Sequence, residues 1–217
     1  MELLNVEGKT KNRVMYFDVL TTVSMIAVVI LHTGGSVWKT NQIGTLAWDI
    51  ALLWQVLFIW CVPILLMLSG IKMLDYRTRY TTRELLKKRM FKVLIPFIIW
   101  SIITYVLTNP ISSDFIYVKN FFNLFFKGEI NPIYWYFYVL IGLYLLLPVL
   151  SLMIENSSKE LLQYLLLTNF IFQIGIPFIY NIFGMDETQF EVWTTYMKIA
   201  PYAGYFILGY YLVKYPI

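Results

Sequence analysis

Two ionisable side chains interrupt the apolar run VMYFDVLTTVSMIAVVILHTGGSVW, residues 14–38: Asp18 near its start and His32, the only histidine of the chain, near its end. A charged or protonatable group inside a membrane span is costly, so it normally faces a bundle interior or a watery cavity and marks a functional site. With an ordinary pKa near 6.5, an imidazole can take a proton from a hydroxyl at neutral pH, the step that acyl transfer to an alcohol requires. At about 100° per residue the two groups return to within about 40° of one helix face, yet fourteen residues rise about 21 Å, so they do not touch. Thr21 and Met25 share their stripe. Asp18 also reads as a helix-start acid favoured by the helix dipole, and His32 as an interfacial histidine in a last helical turn.

Other chemistries find less to build on. There is one cysteine, Cys61, inside an apolar run, so neither an intrachain disulfide nor a paired-cysteine site is expected. Without histidine or cysteine clusters no metal site is expected, and neither a GxSxG nucleophile turn nor a phosphate-binding GxxxxGK[ST] loop occurs.

The elements that carry these residues are membrane helices. Of 217 residues, 59% are hydrophobic and only 14% charged, against about 25% charged in soluble domains. The mean hydropathy is +0.65. Apolar stretches of about 18 residues or more recur, the length a helix needs to cross about 30 Å of hydrocarbon. The expected architecture is all-α, a polytopic bundle of about six spans in one membrane domain, residues 1–217. The spans are Val14–His32, stopped by Gly34-Gly35; Leu46–Leu68, kinked at Pro63; Val93–Leu107; Ile133–Ile154; Leu161–Phe183, containing Pro177; and Tyr196–Val213. The charged segment KMLDYRTRYTTRELLKKRMFKV reads as a loop plus the basic start of the third span. FFNLFF is too short to span and reads as an interfacial or re-entrant helix.

The net charge of +4 and the pI of about 9.0 are mostly topology. Lys9, Lys11, Arg13, Lys72, Arg77, Arg79, Arg83, Lys87, Lys88, Arg89, Lys92, Lys159 and Lys214 fall on one side of the expected spans, and only Lys39, Lys119, Lys127 and Lys198 on the other. Basic loops stay in the cytoplasm, so the N-terminus is expected there. Membrane lipid is then the partner of this charge, and nucleic acid is not.

Five motifs in order resemble the integral membrane acyltransferase family 3, whose O-acetyltransferase-type members modify surface polysaccharides and related acceptors. They are RVMYFDVLTTVSMIAVVILH, MLSGIKML, LKKRMFKVLIPFIIW, IYWYFYVLIGLYLLLP and GYFILGYYL. The resemblance implies transfer of acyl groups, usually acetyl from acetyl-CoA, to a hydroxyl of a cell-surface carbohydrate or related acceptor. It makes His32 the catalytic residue and places the protein in a bacterial plasma membrane. Arg89 and Lys92 are the candidates for the donor's phosphates, each reading equally as a topology anchor. Ser69, beside Gly70, and Trp135 are the candidate substrate contacts, with small-residue packing and interfacial anchoring as their plainer readings. Asp18 is the candidate partner of a basic group at the donor side.

Two features depart from the family. Directly after D-x-L, where the family has an arginine, Thr21 stands, so either Arg89 or Lys92 substitutes or the chain is an inactive member. The family usually has about ten spans, so this chain is expected to be a fragment or a shortened relative completed by a partner chain. A small-solute transporter and an inert membrane scaffold stay open as alternatives, the former on its broken, proline-containing spans.

Overall fold

The computed structural model describes residues 15–40, 42–110, 115–184 and 199–216, and all regular structure among them is helical. Among the described residues nine α-helices follow in order: α1 (Met15–Thr40), α2 (Leu46–Phe58), α3 (Cys61–Met73), α4 (Thr82–Thr108), α5 (Phe115–Lys127), α6 (Trp135–Glu155), α7 (Lys159–Phe170), α8 (Ile176–Ile182) and α9 (Ile199–Lys214). Five segments among the described residues are long and apolar enough to cross a membrane: Met15–Gly35, Leu46–Thr78, Thr82–Thr108, Pro132–Glu155 and Lys159–Ile182. The sixth expected span is α9, whose 16 described residues reach about 24 Å. Residues 196–198 of that expectation, with Lys9, Lys11 and Arg13, lie outside the described residues. The chain divides into two compact units, Met1–Leu65 and Leu66–Ile217.

In the first unit, α1 and α2 form an antiparallel hairpin. Its buried side carries Ser24 and Ala27 of α1 and Ala51 of α2. Thr45 caps α2, its hydroxyl accepting from the amide of Trp48 at 3.3 Å. The expected stop at Gly34-Gly35 does not occur, because α1 continues to Thr40. A glycine costs about 1 kcal/mol inside a helix, less than a backbone group left unbonded where water is scarce. The expected kink of the second span is a break at Ile59 and Trp60, between α2 and α3. Pro63 lacks an N–H for the carbonyl of Ile59 and its ring clashes with it, so the distortion falls four residues upstream. The indole of Trp60 takes up one loosened acceptor, donating to the Leu57 carbonyl at 2.6 Å.

In the second unit the charged segment is helix over most of its length. α4 begins at Thr82 behind a capping box: the Thr81 hydroxyl accepts from the Glu84 amide, and the Glu84 carboxylate accepts from the Thr81 amide at 3.0 Å. The basic residues from Arg83 to Lys92 therefore ride the first three turns of a 27-residue helix. α5 runs back along α4, with Tyr117 against Tyr105 and Phe125 against Phe97 at centroid distances of 4.8 and 5.1 Å. The FFNLFF segment is thus a helix of 13 residues, Phe115–Lys127, too short to span. Gly128, at φ +74°, closes α5, and the Glu129 amide bonds back to the Leu124 carbonyl. α4 and α6 pack side by side around Phe97, which is 1% exposed and touches Tyr134, Phe137 and Tyr138 as well as Phe125.

α9 is held by glycine contacts. A Cβ on Gly70 of α3 would overlap the backbone of Phe206, and one on Gly209 would overlap the backbone of Met67. The two helices thus cross with backbones in direct contact, the arrangement small residues permit in membranes. Gly204 instead faces the side-chain carboxamide of Asn169 on α7, and the Gln163 side-chain amide donates to the Tyr211 hydroxyl at 2.8 Å. Between α7 and α8 lies a π-helical turn, Ile171–Gly175, just before Pro177. The turn absorbs the bond that Pro177 cannot donate.

Candidate active site

Because α1 continues to Thr40, His32 lies about two turns short of the helix end. The last-turn reading of this residue is therefore corrected: its surroundings are mid-helix, not a C-terminus. Its imidazole is exposed and has no hydrogen-bond partner among the described residues. Ser24 and Ala27 mark the side of α1 turned to α2. Asp18, Thr21, Met25 and His32 fall between about 90° and 150° around the helix from that side. Asp18 and Thr21 are half-buried, whereas Met25 and His32 are exposed. Thr21 donates its hydroxyl to the Phe17 carbonyl at 2.6 Å, one turn back in its own helix. A threonine bonded in this way carries no charge towards a donor phosphate.

The remaining candidates belong to the second unit. Arg89 is half-buried on α4, close enough for its charge to act on the buried Tyr144 of α6. Lys92 follows one turn on and is exposed. These two basic groups are neighbours. Trp135 opens α6 nine residues before Tyr144, about 13 Å along the helix from Arg89's level, so the structure does not join it to the basic pair. Its ring packs on Tyr202 of α9 at 5.6 Å and on Tyr136 at 6.1 Å, with 37% of the residue exposed. Ser69 is half-buried on α3, and its neighbour Gly70 is occupied by packing against Phe206.

Several residues that chemistry could use were not singled out by sequence. An open hollow of about 450 Å³ lies at the turn before α4, lined by Arg77, Arg79, Tyr80, Thr81, Thr82 and Glu84. Its arginines are anchored: Arg79 Nη2 donates to the carbonyls of Lys72 and Asp75 at 3.1 and 3.3 Å, and Arg77 Nη2 to that of Pro148 at 3.5 Å. Gln55, midway along α2, donates to the Leu31 carbonyl of α1 at 3.1 Å. The pattern T-T-R-E was the available signal for the cap, and an amide in an apolar run was the signal for Gln55. Tyr144 and Tyr202 carried no signal among seventeen tyrosines. Among the described residues no three histidine, cysteine or acidic side chains gather as a metal site would require.

A family model described as an acyltransferase domain matches residues 14–216. No curated protein and no solved structure shows significant similarity to the chain.

Proposed function

The chain belongs to the family of membrane acyltransferases whose domain spans its residues 14–216, and from that premise we propose that it is an O-acyltransferase using acetyl-CoA. The acceptor is a hydroxyl of a cell-surface carbohydrate or related molecule, and the setting is a bacterial plasma membrane. The observation that carries the reading is the chain's one imidazole, exposed within the long apolar helix α1.

In this reading the imidazole of His32 takes the acceptor's hydroxyl proton as the oxygen attacks the thioester carbonyl carbon. The tetrahedral intermediate collapses with cleavage of the C–S bond, and the imidazolium returns its proton to the departing thiolate. A variant in which the imidazole first carries the acyl group uses the same residue. Arg89 and Lys92 supply positive charge for the donor's phosphates, and guanidinium suits phosphate through paired hydrogen bonds. Trp135, with Tyr202 behind it, offers an aromatic face to an acceptor ring, Ser69 lines the acceptor's path, and Asp18 steadies a basic group at the donor side.

An inert scaffold is the competing reading, favoured by Thr21, whose hydroxyl is tied to its own helix where the family has an arginine. One assay decides between them. Membranes carrying the chain are incubated with acetyl-CoA labelled in the acetyl group, and label is counted in the envelope glycan fraction. The proposal expects label above that in membranes lacking the chain; equal counts refute it.

A further inference from the structure

The peptide unit that carries His32 is gripped from outside its own helix. Gln55 Nε2 donates to the carbonyl oxygen of Leu31 at 3.1 Å. That carbonyl and the amide nitrogen of His32 form one planar group, so the bond fixes the plane from which the His32 side chain departs. A glycine faces the contact: a Cβ on Gly35 would stand 3.2 Å from Gln55 Nε2, so the amide would have to shift by a few tenths of an ångström. Gly35, the residue expected to stop α1, thus sits inside the helix and leaves room for the amide.

We propose that Gln55, admitted by Gly35, is a positioning residue for His32, setting the height and rotation at which α1 presents the imidazole. The imidazole itself is exposed, and the Leu31–His32 peptide unit is where the grip reaches it. An amide donor in an apolar span needs an acceptor, and a helical carbonyl with a second lone pair provides one. A misplacement of about 1 Å at a reacting group costs about a hundredfold in rate, which gives the grip a catalytic consequence.

The inference rests on the reading of His32 as the proton acceptor, and the test separates the two. Because His32 is the only histidine, its imidazole resonance in ¹⁵N-histidine-labelled protein, and its modification by diethyl pyrocarbonate, report on it without any turnover. Gln55→Leu and Gly35→Ala, in the full chain in detergent, are compared with Leu53→Ala on the exposed side of α2. Gln55→Asn, one methylene too short to reach, serves if the leucine variant fails to fold. The expectation is a moved resonance and an altered modification rate in the Gln55 and Gly35 variants only. Acetyl transfer in these variants falls about tenfold or more in kcat, with KM for acetyl-CoA within about twofold. An unmoved resonance with unchanged kcat overturns the positioning role. A moved resonance, with transfer unaffected even in His32→Ala, overturns the catalytic reading of His32 and with it the role of Gln55 in transfer.

Discussion

Replacing Gly70 by alanine should loosen the second unit, and the size of the effect follows from the crossing of α3 and α9. The new Cβ would sit 2.7 Å from the carbonyl carbon of Phe206 and 3.0 Å from its Cα, where ordinary contacts begin at 3.4 Å. The carbonyl oxygen of Phe206 stands nearer still, and all three obstacles are backbone, so no side chain can swing aside and the helices must part by about 1 Å. Such a gap forfeits a quarter to a half of the dispersion energy of the atoms it separates, and overpacking costs about 1–3 kcal/mol. Alanine recovers up to about 1 kcal/mol of helix propensity. The net loss is about 1–2 kcal/mol, or about 2–8 °C in Tm for a chain of this size. Gly209→Ala, which meets the backbone of Met67, should behave alike. The two changes are relieved by the same separation, so the double variant should lose at least about 0.5 kcal/mol less than the sum. Thermal unfolding in detergent is the assay, and Gly142→Ala on α6, with nothing within 4 Å of the added methyl, is the control. If Gly70→Ala unfolds at the same temperature as Gly142→Ala, the direct backbone contact is wrong.

Three further outcomes follow. Arg89→Gln should raise the KM for acetyl-CoA about tenfold, the loss of one charge-assisted phosphate contact of roughly 1.5 kcal/mol, while leaving orientation in the membrane unchanged; an altered orientation with unchanged KM assigns Arg89 to topology alone. Thr21→Arg restores the charge the family carries at that position and should lower the same KM, measured in the same membranes, whereas no change separates this flank of α1 from donor binding. Thr81→Ala removes the cap of α4 and should cost about 1 kcal/mol in detergent unfolding, with the loss confined to stability and absent from KM.

The spans were legible because the bilayer dictates their length and apolarity, whatever they pack against. Their ends were not. Gly34-Gly35 carries the stop signal of helices in water, but inside a membrane the backbone keeps its bonds, and Gly35 answers to Gln55. The third span is expected from Val93, with the basic residues as its entry, whereas the helix begins at Thr82 behind the Thr81 to Glu84 box, which a search for caps would have found. MLSGIKML and GYFILGYYL meet each other through Gly70 and Gly209, and LKKRMFKVLIPFIIW meets IYWYFYVLIGLYLLLP through Phe97 and Phe137. Packing accounts for those four residues, as it does for Ser24 and Ala27 of the first motif, whereas His32 of the first motif is exposed. His32 and Asp18 stood out because polar side chains in an apolar run are visible by contrast. Tyr144 beside Arg89, and Tyr202 behind Trp135, were hidden because periodicity reports which face a residue occupies and not which helix that face meets.

If one imidazole performs the proton transfers, His32→Ala removes them while leaving the rest of the chain in place. The variant is brought to equal membrane abundance with the parent, and transfer of labelled acetyl from acetyl-CoA to envelope glycan is measured at saturating donor. Loss of a general base predicts a fall in kcat of about a hundredfold or more. Transfer at the parent's rate would contradict the account.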